Sequence, residues 1–146
     1  MSEPEAILSL VTLGVSDLER STAFYESLGF CRKARAAKGV GFFQAGACVF
    51  AVFPLQDLAK DADVTGSNPT PEFRGVALAW NCRSEAEVDT VVARARGAGA
   101  AVPKPPQKTF WGGYAGYFAD PDGHLWEVAH NPGFPLSDDG RLQLPD

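Results

Sequence analysis

Phe118 to Pro132 reads F-A-D-P-D-G-H-L-W-E-V-A-H-N-P, and the architecture can be worked out from it. Asp120-Pro121-Asp122-Gly123 has the composition of a tight turn. Proline presets φ at the first corner, and glycine accepts the positive φ that other residues resist. His124 to Ala129 then alternates as a strand does. Leu125, Glu127 and Ala129 point to one face, and His124, Trp126 and Val128 to the other. With Tyr114 to Ala119 before the turn, this is a β-hairpin. Glu127 sits between two apolar residues on its own face, and a carboxylate there needs a partner or a solvent-filled cavity.

Working outward, the same order of elements occurs twice. Ile7 to Val15 is an apolar, branched run that reads as a strand. Leu10, Thr12 and Gly14 share one of its faces. Ser16-Asp17-Leu18-Glu19 follows as a capping box with Ser16 at the N-cap. Leu18, Ser21, Tyr25 and Leu28 recur at helical spacing, and Gly29 stops that helix. Val40–Phe43 and Ala47–Phe53 read as strands around the turn Gln44-Ala45-Gly46. The order restarts with a strand over Phe73–Asn81 and a second capping box at Ser84-Glu85-Ala86-Glu87. A stripe of Val88, Val91, Val92 and Ala95 follows, with a stop at Gly97 or Gly99. Residues 31–36 and 100–103 supply the remaining strand of each unit. The expectation is an α+β fold of two βαβββ modules, with curved mixed sheets forming a cup and helices outside. One three-stranded sheet with one helix buries too little alone, so the two units have reason to pack. The concave faces of two twisted sheets then enclose a space. Module one covers about 5–54, a mobile linker 55–72, module two about 73–132 and a polar tail 133–146, all within a single domain 1–146.

Composition narrows the function. The chain has 146 residues and a net charge of −5. It shows no basic stripe, which argues against nucleic acid. No apolar run approaches a membrane span. The acidic opening Met1–Glu5 does not read as a secretory leader. Cys31, Cys48 and Cys82 are widely spaced and lack a C-x-x-C pattern. They read as reduced thiols of a cytoplasmic protein.

Val15-Ser16-Asp17-Leu18-Glu19-Arg20-Ser21 through Phe24-Tyr25, then Leu28-Gly29-Phe30, resembles the first strand and helix of the vicinal oxygen chelate superfamily. That group includes glyoxalase I, bleomycin-resistance proteins and extradiol dioxygenases. Tyr117 to Glu127 is similar to its closing hairpin, and the resemblance spans roughly residues 7–132. It implies a small-molecule site in the cup and a homodimer. The family's metal enzymes hold a divalent ion with His and Glu on the first and last strands of each unit. Carried over by the resemblance, those positions fall on Leu10, Ala51, Gly75 and Glu127. Only Glu127 is a ligand type, and one carboxylate does not hold a divalent cation. The expectation is therefore no metal cofactor, with a divalent metal as the alternative.

Parity along the strands lines the cup with Thr12, Phe53, Ala77 and Glu127, among mostly small apolar residues. Glu127 either contacts a ligand or acts as a general base, or else is a structural carboxylate paired with a neighbour. Phe110-Trp111-Gly112-Gly113-Tyr114 suits a loop bending over a pocket, with Trp111 and Tyr114 stacking on a flat ligand, or packing as core beneath that loop. His124 and His130 fall on the opposite strand face from Glu127. Asp17, Asp120 and Asp122 do cap and turn work. Lys104, Gln107 and Lys108 either offer an anion contact at the mouth or form a solvated edge. The chain lacks G-x-S-x-G and a phosphate-cradling glycine loop. Together these features point to a metal-independent binding protein for a small apolar or aromatic ligand. The alternative is a superfamily lyase, isomerase or dioxygenase using Glu127 as base or as one metal ligand.

Overall fold

A computed structural model describes residues 4–65 and 72–146. Met1–Glu3 of the acidic opening and 66–71 of the expected linker lie outside the described residues. The chain runs β1 (Val11–Val15), α1 (Leu18–Ser27), β2 (Cys31–Lys33), β3 (Gly41–Ala45), β4 (Cys48–Pro54) and α2 (Leu55–Asp61). It continues with β5 (Ala77–Asn81), α3 (Glu85–Gly97), β6 (Ala101–Lys108), β7 (Tyr114–Ala119) and β8 (Leu125–His130). Two four-stranded mixed sheets result, in the orders β1-β4-β3-β2 and β5-β8-β7-β6. In each, the first strand lies parallel to the last, and the others are antiparallel. The duplicated βαβββ plan is therefore present.

Local chemistry explains most element ends, with some corrections. The N-cap of α1 is Asp17, whose side chain accepts from the Arg20 amide at 3.0 Å, and not Ser16. Ser16 is drawn away because its amide and hydroxyl both donate to Asp122 Oδ1, at 2.8 and 2.7 Å. Ser84 does cap α3, accepting from the Glu87 amide at 3.1 Å. Gly29 and Gly99 follow the two long helices at φ 99° and 98°. The Phe30 and Ala100 amides bond back to the Tyr25 and Ala95 carbonyls, as expected of a left-handed helix stop. The strand expected from Phe73 begins only at Ala77. Gly75 at φ 78° breaks the extended chain before it. β6 carries Pro103, Pro105 and Pro106. It tolerates them because it is an edge strand with two register shifts, where missing amide donors break no required ladder bond. The start of the 55–72 stretch is a helix, α2, packed on β1: a Cβ on Gly14 would come 2.6 Å from Leu55 Cδ1.

The two modules share one core. Leu13, Val15, Phe50 and Val52 of the first sheet belong to the same buried cluster as Phe118, Trp126 and Val128 of the second, with residues of α1 and α3. Rings cross the joint. Phe50 lies 5.5 Å from Trp126, Phe24 6.3 Å from Phe118 and Phe30 5.0 Å from Trp80. Side chains of both long helices and both sheets thus pack into one buried cluster. The α+β fold of two modules with mixed sheets expected from the sequence is the one observed.

The Asp-Pro-Asp-Gly turn is the bracket between modules. Tyr25 of α1 is fully buried and donates to Asp120 Oδ2 at 2.5 Å, while Trp126 Nε1 donates to the Tyr25 hydroxyl at 3.1 Å. Asp120 Oδ1 meanwhile accepts the amides of Asp122 and His124 at 2.9 and 2.8 Å, which shapes the turn. Asp122 reaches across to Ser16, and to the Ser21 hydroxyl at 3.2 Å. Burial, then the Asp120 carboxylate, push the Tyr25 phenol well above its ordinary pKa.

Candidate functional site

The hollow face of the second sheet is built from side chains that alternate away from the core. Ala79, Glu127 and Tyr117 stand opposite one another across β5, β8 and β7, and Lys104 of β6 stands opposite Tyr117. The flanking row is apolar, with Ala77 opposite Leu125 and Leu125 opposite Ala119. Phe73, Ala77, Pro103, Lys104, Tyr117 and Leu125 line a half-open hollow of about 360 Å³ there. Its walls are almost wholly carbon, and Lys104 supplies the only charge among them. Glu127 lies on β8 two residues beyond the lining residue Leu125. The Tyr117 hydroxyl donates to Glu127 Oε2 at 3.3 Å. Burial, then the neighbouring Glu127 charge and this bond, raise the Tyr117 pKa, so the phenol keeps its proton at neutral pH.

The sequence candidates fall in three places. Ala77 and Glu127 share the hollow face just described. Thr12 and Phe53 lie on the hollow face of the first sheet, opposite Ala51 and Gly14. The Tyr114 hydroxyl donates to Asp89 of α3 at 2.7 Å, which sets it on the helix-covered side of the second sheet. Trp111 is 40% exposed in the loop between β6 and β7, with its ring folded against Gly113. The histidines serve the backbone. Arg74 donates to His124 Nδ1 at 3.2 Å, which leaves the Nε2 proton to bond the Gly14 carbonyl at 2.7 Å. His130 Nδ1 meets the Cys82 carbonyl at 3.1 Å.

Tyr117, Pro103 and Phe73 line this hollow without being candidates in the sequence reading, which places Lys104 only at the mouth or on a solvated edge. Alternation could have found Tyr117, because it lies two residues before Ala119 on the Leu125 face of the hairpin. Phe73 was out of reach, since the chain around Gly75 is not a strand. Among the described residues, no three His, Cys, Asp or Glu side chains gather as metal ligands, and no helix is long and apolar enough to cross a membrane.

Comparison with known proteins follows the same outline. Residues 7–128 match the model of the Glyoxalase/Bleomycin resistance protein/Dioxygenase superfamily. A glyoxalase-related enzyme from Fulvimarina pelagi is 36% identical, with a TM-score of 0.86 over 96% of this chain and 99% of that one. A glyoxalase/bleomycin resistance protein/dioxygenase from Nocardioides is 27% identical, with a TM-score of 0.74 over 93% of each chain. A hypothetical protein from S. aureus is 25% identical, with a TM-score of 0.77 over 88% of this chain and 96% of that one. No curated protein sequence matches. Two βαβββ modules, the family match and the shared structure agree: the chain belongs to the Glyoxalase/Bleomycin resistance protein/Dioxygenase superfamily.

Proposed function

We propose that this chain is a metal-independent binding protein for a small apolar or aromatic molecule, held in the hollow of the second sheet. The carrying observation is the carbon-walled hollow of about 360 Å³ beside a single phenol–carboxylate pair. Few polar groups set in an apolar wall suit a ligand that is bound by burial and oriented by one or two hydrogen bonds. A divalent ion does not fit this donor set. Glu127 has Tyr117 and Ala79 as its cross-strand neighbours. On the first and last strands of the first sheet the matching positions are Thr12, Ala51 and Phe53, with no imidazole or carboxylate among them. Three or four converging donors are needed.

The working unit in this reading is a homodimer, with the hollow face of one copy's first sheet roofing the second-sheet hollow of its partner. The support is that β1 and β5 are edge strands whose lead-in residues Ile7, Leu8, Phe73 and Val76 are apolar and exposed. Bare edges and apolar surface favour pairing. The free thiols of Cys31, Cys48 and Cys82 suit a cytoplasmic location.

A second reading, an enzyme with Glu127 as general base, draws on the Tyr117 contact and on the enzyme from Fulvimarina pelagi. Elemental analysis of the purified protein with a thermal-shift screen of small aromatic compounds separates these. The binding reading expects substoichiometric metal and ligand-dependent stabilisation that persists in EDTA. One metal per chain, removed by EDTA with loss of stability, overturns it. Turnover of a screened compound that Glu127→Gln abolishes while binding survives would establish the enzyme instead.

A further inference from the structure

We infer that the hollow selects an anionic ligand: a molecule with a flat apolar body, an acid group at Lys104 and a hydrogen-bond donor at Glu127. This rests on the small-molecule reading above and names the ligand class for the same site. Glu127, Tyr117 and Lys104 lie in one cross-strand row over β8, β7 and β6. Adjacent strands are ~4.8 Å apart, so the backbone positions that carry the acid and the amine are roughly 10 Å from one another with that of the phenol between. The row beside them is Ala77, Leu125 and Ala119, which offers no polar group. The floor is therefore an apolar strip with one negative and one positive end.

Lys104 is free for this role and its neighbour is not. Lys108, on the same strand, pairs with Glu85 at 2.6 Å. Lys104 has no ion pair among the described residues. Its backbone is held stiffly. Pro103 precedes it and Pro105 and Pro106 follow, so φ is locked at three of four consecutive positions. This segment closes over β7, where a Cβ on Gly116 would come 2.9 Å from the Lys104 carbonyl oxygen and 2.7 Å from Pro106 N. A cation on a preset backbone loses less freedom when it binds, which favours its use as an anchor. A neutral ligand covering the same wall would strip water from the ammonium and return nothing, which disfavours it. At the other end, Tyr117 occupies Oε2 of Glu127. Oε1 is left to accept from a ligand hydroxyl or amine.

The test is calorimetric titration of 3-(4-hydroxyphenyl)propionate, its carboxamide and 3-phenylpropionate into the full chain, with amide NMR shifts of Ala77, Tyr117 and Leu125 to locate binding. The wild type is expected to bind the acid roughly three- to tenfold more tightly than the carboxamide, the range of a partly exposed charge-assisted contact. Lys104→Met is expected to erase that difference while retaining carboxamide binding. Glu127→Gln is expected to shrink the preference for the hydroxylated acid over 3-phenylpropionate. Equal binding of acid and carboxamide by the wild type, or an acid preference that survives Lys104→Met, overturns the inference while leaving the binding site in place. If none of the three compounds moves the Tyr117 resonance, the small-molecule reading falls and this inference with it. Lys104 is exposed, so the melting temperature of Lys104→Met serves as the folding control.

Discussion

Replacing Tyr25 by Phe tests the claim that a buried hydrogen-bond relay ties the two modules together. The substitution keeps the ring among its neighbours, 4.9 Å from Phe50, 5.1 Å from Phe24 and 5.9 Å from Trp126. It removes only the hydroxyl. Two bonds go with it: the 2.5 Å donation to Asp120 and the 3.1 Å acceptance from Trp126. A hydrogen bond to a charged group contributes about 1.5–3 kcal/mol, and a neutral one about 1 kcal/mol. The expected loss is therefore about 3 kcal/mol at pH 7, or ~10 °C in melting temperature for a chain of this size. Urea unfolding at constant m-value measures it. The pH dependence gives an independent check. Burial and Asp120 raise the folded Tyr25 pKa above 10.0, while the unfolded phenol titrates near that value. From pH 10 upward the unfolded chain releases this proton and the folded chain keeps it. The group's contribution is complete below pH 10 and is lost as pH rises toward the folded pKa. Relative to Tyr25→Phe, the wild type should lose up to about 1.4 kcal/mol per pH unit in that window. A loss under ~1 kcal/mol at pH 7, on the low side of one such bond, or parallel stability curves above pH 10, would refute the relay.

Three further outcomes follow from local geometry. Gly116→Ala should destabilise by roughly 2–4 kcal/mol in urea unfolding, because its Cβ meets backbone of β6. Gly14→Ala should cost about 1 kcal/mol, since the nearest atom is the movable end of Leu55. At pH 8, Cys31 and Cys48 are exposed and should react promptly with a thiol reagent. Cys82 is buried, and burial with Glu87 nearby raises its pKa to about 11. It should react only on unfolding, so prompt modification of all three thiols in the folded protein would contradict this placement.

The candidate site was only partly visible before the fold was known. Glu127 stood out because a carboxylate on an apolar strand face is costly, and alternation alone placed it with Leu125. Ala77 followed from the same parity. Tyr114 and Trp111 were grouped with the site because aromatic residues beside glycines suit a pocket loop. In the fold the Tyr114 hydroxyl turns to Asp89 on α3, a partner 25 residues away that no local pattern reveals. Lys104 reads in the sequence as an anion contact at the mouth or a solvated edge, and the pairing of β6 with β7 sets it opposite Tyr117.

Local sequence by itself determined the duplicated modules, the glycine stops, the Ser84 cap, the closing hairpin and the face that carries Glu127. Each depends on residues a few positions apart, where steric limits on φ and the two periodicities act directly. Tertiary structure alone decided the rest. Ser16 is taken from α1 by Asp122, Tyr25 is claimed by Asp120, and Phe50 of one module packs on Trp126 of the other. Those outcomes belong to side chains about 100 residues apart competing for the same buried partners, and only a packed chain brings the competitors together.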